Sequence, residues 1–304
     1  MSYEPQTWVT GDVVTAEKLN HIEAGIASSG GSSNLYIDLT TLGFVPGEVS
    51  ATTIDNLIAL LSSDATNKTV AFESGTYILA KKLVLPSNTH LLGNANTVLT
   101  LNASSSSDCI VELPSNNNAI HDVLIEHIRF YGKGKSGYDG VKIKNKVISS
   151  SIVNCSADNC NNGFYSTYNG TTFGKSNTFV NCMSHNCHIG LFMDKRAEYT
   201  TITGCIFGNN DIGGQNYGGN NIWTNCMFTT NTIGFIISGQ SGITENPGHG
   251  GCVGCSFNHN GTAAIQNISN VIGWTYSGCN IFYSKVTLDA CVGTLFSGCV
   301  TGSA

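Results

Sequence analysis

The stretch Ile152-Val153-Asn154-Cys155 decides the fold, because its pattern returns at short intervals towards the end of the chain. An apolar residue stands three positions before each cysteine of the series, and asparagine or glycine stands directly before it. The cysteines of the series are Cys155, Cys182, Cys205, Cys226, Cys255, Cys279 and Cys299. Successive members are separated by 27, 23, 21, 29, 24 and 20 residues. A short period held over seven copies indicates a repeat architecture.

Two further columns keep the phase of the cysteines. Five residues after the cysteine stand Cys160, Cys187, Asn210, Asn231 and Asn260, and eight residues after it stand Gly163, Gly190, Gly213, Gly234 and Ala263. Three columns that agree across five consecutive units are a strong signal of structural repetition.

A unit of this length, made of short β-rich runs and Asn or Gly corners, is too small to bury its own apolar side. Stacking the units about 4.8 Å apart pairs each strand with its counterparts above and below. The cysteine column then points inward, and Asn and Gly supply tight or left-handed corners. The sequence therefore predicts an all-β protein, a right-handed parallel β-helix (solenoid) with short N-terminal helices.

Changes in local composition along the chain predict three regions. Residues 1–33 hold a short motif and a helix and end in a linker rich in Ser and Gly. Residues 34–69 form a capping region in which 53–61 has the apolar period of a helix, and residues 70–304 form the solenoid. A cap is needed because open strand edges pair with other chains. The last residues show no comparable cap, and we expect a partner chain there.

Composition excludes several classes of protein. The 304 residues carry 14 basic and 20 acidic side chains and a net charge of −6, whereas nucleic-acid recognition usually needs a clustered basic face. No apolar run reaches the roughly 18 residues of a membrane span, and the first residues lack the pattern of a secretory signal. We therefore expect no nucleic acid, no membrane and no signal peptide.

Two stretches resemble known families. Residues 70–94, which begin Val70-Ala71-Phe72-Glu73-Ser74-Gly75-Thr76-Tyr77, look like the opening coil of pectate-lyase-like β-helices, including phage tailspikes. Residues 3–23, which begin Tyr3-Glu4-Pro5-Gln6-Thr7-Trp8, are similar to the N-terminal segment of fibre and appendage proteins of phages and prophages of Gram-positive bacteria. The first resemblance implies a fold but no activity. The second implies a virion-attachment tag joined to a distal domain.

The residues of the tag support attachment on physical grounds. Thr15 is a good N-cap for a helix over 16–27, whose apolar residues follow at steps of three and four and give a narrow stripe. So short a helix needs a partner surface, which three copies around an axis or a socket on a particle would supply. The alternative is a helix folded back onto the solenoid. The expected attachment residues are Tyr3, Pro5, Trp8, Leu19, Ile22 and Ile26.

Four side chains in two columns are the candidates for catalysis. Asp158 and His185 stand three residues after the column cysteine, and His188 and Asp211 stand six residues after it. The phase predicts that Asp158 stacks beside His185 and His188 beside Asp211. The two carboxylates would then lie two coils apart, roughly 10 Å, near the upper limit for an inverting glycosidase. The alternative is that all four are corner residues, since Asp and His both tolerate turns.

A charged run supplies the candidates for glycan binding. The segment 194–199 is the densest charge cluster of the solenoid, and we expect it to leave the coil as a loop that carries binding. A solvated turn is the alternative. The glycan-binding candidates are Asp194, Arg196, Glu198, Tyr165 and Tyr168, whereas Trp223 aligns with inward residues and is expected in the core.

The 12 cysteines are expected to be reduced thiols, because the chain shows no sign of secretion. Cys252 and Cys255 form a single CxxC motif with His249 nearby. A single pair lacks the second half of a zinc site, and the sequence therefore predicts no metal and no cofactor.

These features give three functional hypotheses. The first is a phage fibre or spike subunit, a homotrimer anchored to another virion protein through residues 1–31, which presents its β-helix to host surface polysaccharide. It would assemble in the bacterial cytoplasm and reside in the virion. The second is a depolymerase of the tailspike type, a glycosidase or lyase. The third is a decorative head or tail fibre protein. β-Helix faces suit long sugars, and this analogy favours the first two.

Overall fold

The structure is a computed structural model. It describes residues 35–64, 66–114, 119–144, 146–167, 174–239, 248–268, 271–289 and 291–302. The predicted helix at 16–27 lies outside these residues. So do the glycan-binding candidate Tyr168 and the attachment candidates Tyr3, Pro5, Trp8, Leu19, Ile22 and Ile26.

Short strands that pair in parallel make up most of the described chain, and the two longest sheets have 12 and 11 strands. Sheet A contains Leu35–Ile37, Lys68–Ala71, Thr89–Leu92, Leu124–Glu126, Ser151–Val153, Thr178–Val180, Thr201–Thr203, Asn221–Thr224, Gly248–Val253, Val271–Ser277, Cys291–Val292 and Leu295–Ser297. Sheet B contains Gly47–Val49, Gly75–Leu79, Thr97–Leu101, Arg129–Tyr131, Ser156–Asp158, Met183–His185, Ile206–Gly208, Met227–Thr229, Ser256–Asn258, Asn280–Phe282 and Val300–Gly302.

Two further sheets, of nine and four strands, close the coil. Sheet C contains Leu83–Val84, Cys109–Leu113, Asp139–Ile143, Asn162–Ser166, Ile189–Met193, Ile212–Asn216, Ile233–Ser238, Ala263–Ile268 and Val286–Leu288. Sheet D contains Ile120–His121, Val147–Ile148, Gly174–Lys175 and Ala197–Glu198.

The chain visits sheets A, B and C in that order and then returns to sheet A one coil further on. Ile152 pairs with Phe179, and Phe179 pairs with Ile202, so the register advances by one complete repeat at each step. This topology confirms the parallel β-helix predicted from the sequence.

The cysteine series forms one inward column, as predicted. Its first six members are buried and Cys299 is half-buried. Each sulfur lies 3.3–3.7 Å from a backbone carbonyl oxygen of the preceding coil. All 12 cysteines are free thiols, and Trp223, aligned with this interior, is fully buried.

The second column becomes a ladder of buried asparagines at the turn between sheets B and C. The Oδ1 of Asn231 accepts a hydrogen bond from the backbone N–H of Asn210 at 2.9 Å, and the Oδ1 of Asn260 accepts one from the N–H of Asn231 at 3.2 Å. The Nδ2 of Asn231 donates to the carbonyl oxygen of Phe207 at 2.9 Å. The ladder satisfies backbone groups that the turn leaves without strand partners.

The third column holds up to Gly234 and then slips by one residue. Ile233 pairs with Ala263, so Ala264, not Ala263, continues the glycine column. The sequence alignment was wrong at this position because the chain from Cys255 to sheet C holds one residue more than the coil below it.

The corner between sheets A and B has the same backbone conformation on every coil of the cysteine series. Its residues all have φ between 51° and 66°, a left-handed conformation that only glycine and asparagine adopt readily. We call this row the A–B corner; its members are Asn154, Asn181, Gly204, Asn225, Gly254, Gly278 and Gly298.

One end of the solenoid is covered by the α-helix Ala51–Leu61, beside the 3-10 helix Leu39–Leu42. The Ser50 side chain accepts a hydrogen bond from the N–H of Thr53 and begins the helix as an N-cap. The buried residues of the helix are Ile54, Leu57 and Leu61. None of the described helices is long and apolar enough to cross a membrane.

Candidate functional site

A groove of about 510 Å³, lined by both polar and apolar residues, runs along the outer face of sheet B. It crosses the coils that contain the strands Arg129–Tyr131, Ser156–Asp158 and Met183–His185. The side chains that give it chemical character are His127, Arg129, Asn154, Asp158 and His185. Two of the four predicted catalytic residues, Asp158 and His185, therefore lie in one groove.

The strand register places these side chains. Tyr131 pairs with Asp158, and Asp158 pairs with His185, so the three form one outward column on successive coils. This confirms the predicted neighbourhood of Asp158 and His185. The Arg129 guanidinium reaches up one coil and contacts the Asp158 carboxylate at 2.6 Å. The Asn186 amide donates to the other carboxylate oxygen of Asp158 at 3.2 Å.

A second polar pair, Asn154 and His127, forms one wall of the groove. The Asn154 amide lies 3.2 Å from Nε2 of His127, on the coil below. Both residues have positive φ, so they occupy the sharp corner that separates sheet A from sheet B. Histidine and asparagine side chains offer both hydrogen-bond donors and acceptors to a ligand.

Gly208 determines where the His185 ring lies. A Cβ atom at position 208 would lie 3.3 Å from Cδ2 and Nε2 of the His185 ring. The ring therefore packs over the Gly208 backbone on the next coil. A larger residue there would crowd the imidazole and force it to shift.

His188 and Asp211 also meet, at the turn between sheets B and C. Nδ1 of His188 lies 3.0 Å from Oδ2 of Asp211, and the Lys135 ammonium contacts the other carboxylate oxygen. Partial burial alone would raise the pKa of Asp211, but the hydrogen bonds from His188 and Lys135 outweigh it and lower this pKa below its ordinary value. Asp211 is therefore a carboxylate at neutral pH.

The two aspartates lie on different parts of the coil. Asp158 lies on the outer face of sheet B, whereas Asp211 lies at the turn towards sheet C. In an inverting pair one carboxyl group has a raised pKa and acts as the acid, while the other acts as the base, and the lowered pKa of Asp211 fits only the role of the base.

The glycan-binding candidate Tyr165 does not offer a ring face to a sugar. One face stacks on Phe192, with ring centroids 4.9 Å apart, and the Lys142 ammonium lies 5.4 Å from the ring centroid. Its hydroxyl donates to Asp194 at 3.0 Å. Burial raises the pKa of this hydroxyl, and the charge of Asp194 raises it further. Tyr165 therefore fixes the position of the Asp194 carboxylate.

The charged run 194–199 is a turn within the coil and not the projecting loop predicted from the sequence. The N–H of Ala197 donates to the carbonyl oxygen of Asp194 at 3.0 Å, and Arg196 has positive φ. Glu198 follows in sheet D with only 3% of its surface exposed. Direct contact with a glycan is therefore open to Asp194 and Arg196, whereas Glu198 lies beneath the surface.

The sequence reasoning missed His127, Arg129 and Asn154. Arg129 and Asp158 stand in different columns, so counting from the cysteine does not bring them together. The signal lies in side-chain length, because an arginine on one coil spans the distance to a carboxylate on the next.

An ion-pair cluster on sheet C was also missed. Among the described residues, Asp108, Cys109 and Glu112 are the group whose atoms could surround a metal ion. Lys82 contacts both Asp108 and Glu112, at 3.1 and 2.6 Å. Lys142 and Lys144 add further ion pairs to the same two carboxylates. The lysines already neutralise these groups, so the cluster ties neighbouring coils together.

No family model matches the chain, and no curated protein matches it. Solved structures do match. ORF18 of Geobacillus virus E2 aligns over 99% of this chain and 66% of its own, with a TM-score of 0.60 and 15% identity. The A-module of mannuronan C-5 epimerase AlgE4 from Azotobacter vinelandii aligns over 88% of both chains, with a TM-score of 0.63 and 13% identity.

The third similar structure is tailspike gp49 of Acinetobacter baumannii bacteriophage Fri1, a capsular polysaccharide depolymerase. It aligns over 87% of this chain and 50% of its own, with a TM-score of 0.55 and 13% identity. The chain thus spans about two thirds of the virus protein and half of the tailspike. At these identities the similarity shows a shared parallel β-helix fold.

Proposed function

We propose that this protein is a phage appendage subunit that binds host surface polysaccharide in the groove of sheet B. The observation that carries the proposal is the groove itself. It gathers an arginine, an aspartate, two histidines and two asparagines on a protein in which only 11% of residues are charged. The proteins that share the fold include a viral protein and a tailspike that depolymerises capsular polysaccharide, which supports the same assignment.

The groove chemistry suits a long sugar chain. Sugar hydroxyls both donate and accept hydrogen bonds, and the Arg129–Asp158 pair presents donors and acceptors side by side. Tyr131 is 43% exposed at the edge of the groove, with the Arg129 guanidinium 5.7 Å from its ring centroid. An open groove that crosses several coils holds consecutive sugar units along the solenoid.

Binding is tested by titrating the full-length protein with host envelope polysaccharide in a calorimeter. The variants Arg129→Gln and Asp158→Asn each remove one charge-assisted hydrogen-bond group, worth about 1.5–3 kcal/mol, so affinity should fall at least about tenfold. Matched controls are Lys81→Gln and Asp122→Asn, which lose the same charges outside the groove. Unchanged binding by both groove variants would refute the groove assignment.

Residues 1–31 are the proposed anchor to another virion protein, and the subunit is proposed to be a homotrimer. The apolar stripe of Leu19, Ile22 and Ile26 supports the anchor. Deleting residues 1–31 should abolish incorporation into particles while the β-helix retains its circular dichroism spectrum. Incorporation of the truncated chain would refute the anchor.

Depolymerisation is the second candidate, because Asp158 lies in the groove beside His185. If the protein cleaves its polysaccharide, reducing ends or unsaturated products should accumulate, and Asp158→Asn should stop the reaction. If the His188–Asp211 pair, and not the groove, carries out the cleavage, Asp211→Asn should stop the reaction instead. Tight binding without product would leave the protein a binder and exclude the enzymatic function on that polysaccharide.

A further inference from the structure

The turn between sheets B and C holds one left-handed residue on each coil of the cysteine series from Cys155 to Cys279. This residue stands four positions after the cysteine, and its φ lies between 53° and 58°. We call this row the B–C corner; its members are Asn159, Asn186, Asn209, Thr230, His259 and Tyr283. Asparagine, which tolerates this conformation, fills the first three positions and is absent from the last three.

The last member of the row, Tyr283, is a poor fit to this backbone. A bulky side chain rarely adopts positive φ, whereas the asparagine of the lower coils adopts it with little strain. Residues held in such conformations cluster where a protein contacts a ligand. The backbone at Tyr283 therefore indicates that the ring serves a purpose other than forming the turn.

The Tyr283 ring is part of an aromatic patch. Its centroid lies 4.4 Å from that of His259 on the coil below, with 27° between the ring planes. Phe282 lies beside it and packs over Gly302, where a Cβ atom would be 2.5 Å from the Phe282 ring. Tyr283 is 48% exposed, and no ring of the described residues stacks on its other face. The patch therefore offers an open aromatic face.

A cleft of about 720 Å³ lies beside this patch. Tyr283, Ser284, Lys285 and Thr301 line it, together with aliphatic side chains. Its volume is within the range of about 300–1,000 Å³ that is usual for small-molecule sites. Hydroxyl, ammonium and aromatic groups therefore meet in a space large enough for a sugar ring.

Lys285 brings a positive charge to the cleft. Among the residues that the structure describes, its ammonium has no ion-pair or hydrogen-bond partner, and the turn below it, residues 259–262, contains no carboxylate. Six other lysines each contact a carboxylate; they are Lys68, Lys81, Lys82, Lys135, Lys142 and Lys144. The Lys285 ammonium is therefore available to an anionic ligand.

These groups are complementary to an anionic sugar. A pyranose ring has an apolar face of C–H groups that can lie on an aromatic ring, and a lysine ammonium pairs with carboxylate or phosphate groups. The hydroxyls of Ser284 and Thr301 can both donate and accept hydrogen bonds. We infer that the cleft binds a sugar unit that carries a carboxylate or a phosphate, with its ring on Tyr283 and its anionic group on Lys285.

The cleft is separate from the groove of sheet B. Four coil steps, or about 19 Å, separate the strands Met183–His185 and Asn280–Phe282. In the groove the Arg129 guanidinium is neutralised by Asp158, whereas the charge of Lys285 is open to the ligand. The inference rests on the proposed function in that both sites take sugars, but each site is tested with its own variants.

The test is a calorimetric titration of the full-length protein with short fragments of host envelope polysaccharide, separated by anion exchange into neutral and anionic fractions. We expect the anionic fragments to bind more tightly. Lys285→Gln removes the charge and Tyr283→Asn removes the ring, so each should weaken this binding at least about fivefold. The matched controls Lys81→Gln and Tyr199→Asn change the same residue types outside the cleft, and Tyr199 also has positive φ; both should bind normally.

Chemical treatment of the anionic fragments identifies the group that Lys285 recognises. Reduction with carbodiimide and borohydride converts carboxylates to alcohols, whereas hydrofluoric acid removes phosphate. The treatment that abolishes binding identifies the anion as carboxylate or phosphate. Binding that survives both treatments would overturn the inference, because the cleft would then not recognise charge.

A stability measurement separates a ligand site from a packing role. Asparagine suits the backbone at position 283, so Tyr283→Asn should leave the urea midpoint unchanged or raise it although binding is weakened. A lower urea midpoint in Tyr283→Asn would assign the ring to packing and overturn the inference.

The groove variant Arg129→Gln distinguishes this inference from the proposed function. It should bind the short anionic fragments as the unmodified chain does. If the cleft variants weaken fragment binding while the groove variants leave binding of the whole polysaccharide unchanged, the groove assignment fails and the inference stands. Unchanged fragment binding in both Tyr283→Asn and Lys285→Gln would overturn the inference and leave the groove assignment intact.

Discussion

Replacing Asn231 with alanine should destabilise the solenoid by about 2–6 kcal/mol. The Asn231 side chain is 2% exposed, and it donates to the Phe207 carbonyl oxygen and accepts from the Asn210 N–H, both at 2.9 Å. Alanine removes these two bonds and a third, from Nδ2 to Oδ1 of Asn260 at 3.0 Å, and leaves the buried Phe207 carbonyl and the buried Asn210 N–H each with one partner fewer. Each such group costs about 1–3 kcal/mol, so the two together give the expected range.

The aspartate variant at the same position adds a pH test. Asn231→Asp keeps an oxygen for the Asn210 N–H, and a protonated carboxyl can still donate to the Phe207 carbonyl. Burial should raise the pKa of this carboxyl above its value of about 3.9 in the unfolded chain. Stability is then fully present below the unfolded pKa and is lost as pH rises through the raised folded pKa.

Urea unfolding measures both effects, with circular dichroism and the fluorescence of the buried Trp223 and Trp274 as probes. The control is Asn280→Ala on the exposed face of sheet B, which should change the free energy of unfolding by less than about 0.5 kcal/mol. If Asn231→Ala behaves like this control, the asparagine ladder does not stabilise the turn between sheets B and C.

Three further predictions concern the core and the ion pairs. Burial raises the pKa of the Cys155 thiol to about 12, so a thiol reagent at pH 8 should label it only after unfolding; rapid labelling of the native protein would contradict the inward column. Gly190→Ala should destabilise by at least about 1–3 kcal/mol, because the new methyl group would meet the carbonyl oxygen of Gly213 on the next coil; an unchanged urea midpoint would refute this. Partial burial would raise the pKa of Asp108, but the hydrogen bond from Lys142 outweighs it and lowers this pKa. The pair therefore contributes stability above the unfolded pKa of about 3.9, and this stability is lost as pH falls through the folded pKa. Asp108→Asn should accordingly flatten the acid side of a plot of unfolding free energy against pH.

The sequence was sufficient for the fold because the repeat constrains it heavily. Only one stacking of the coils satisfies three features at once: the cysteine column, the Asn or Gly corner before each cysteine, and the apolar residue three positions before it. The strand register confirms this stacking. The same counting placed Asp158 beside His185 and His188 beside Asp211.

The groove could be predicted only in part, because it depends on how far long side chains reach between coils. Arg129 contacts Asp158 from another column, and both faces of the Tyr165 ring are occupied by neighbours. The turn at 194–197 was mistaken for a loop, since charge density says nothing about whether the backbone closes on itself.

Four successive coils keep one part of their length constant and vary the other. From sheet A through sheet C, residues 151–166, 178–193, 201–216 and 222–237 each make a run of 16, whereas the returns 167–177, 194–200 and 217–221 have 11, 7 and 5 residues. A residue inserted into a return lengthens that return without shifting the stacking of the next coil. Mutation and recombination can therefore remodel the flank that the returns form, while the surfaces of sheets A, B and C keep their spacing.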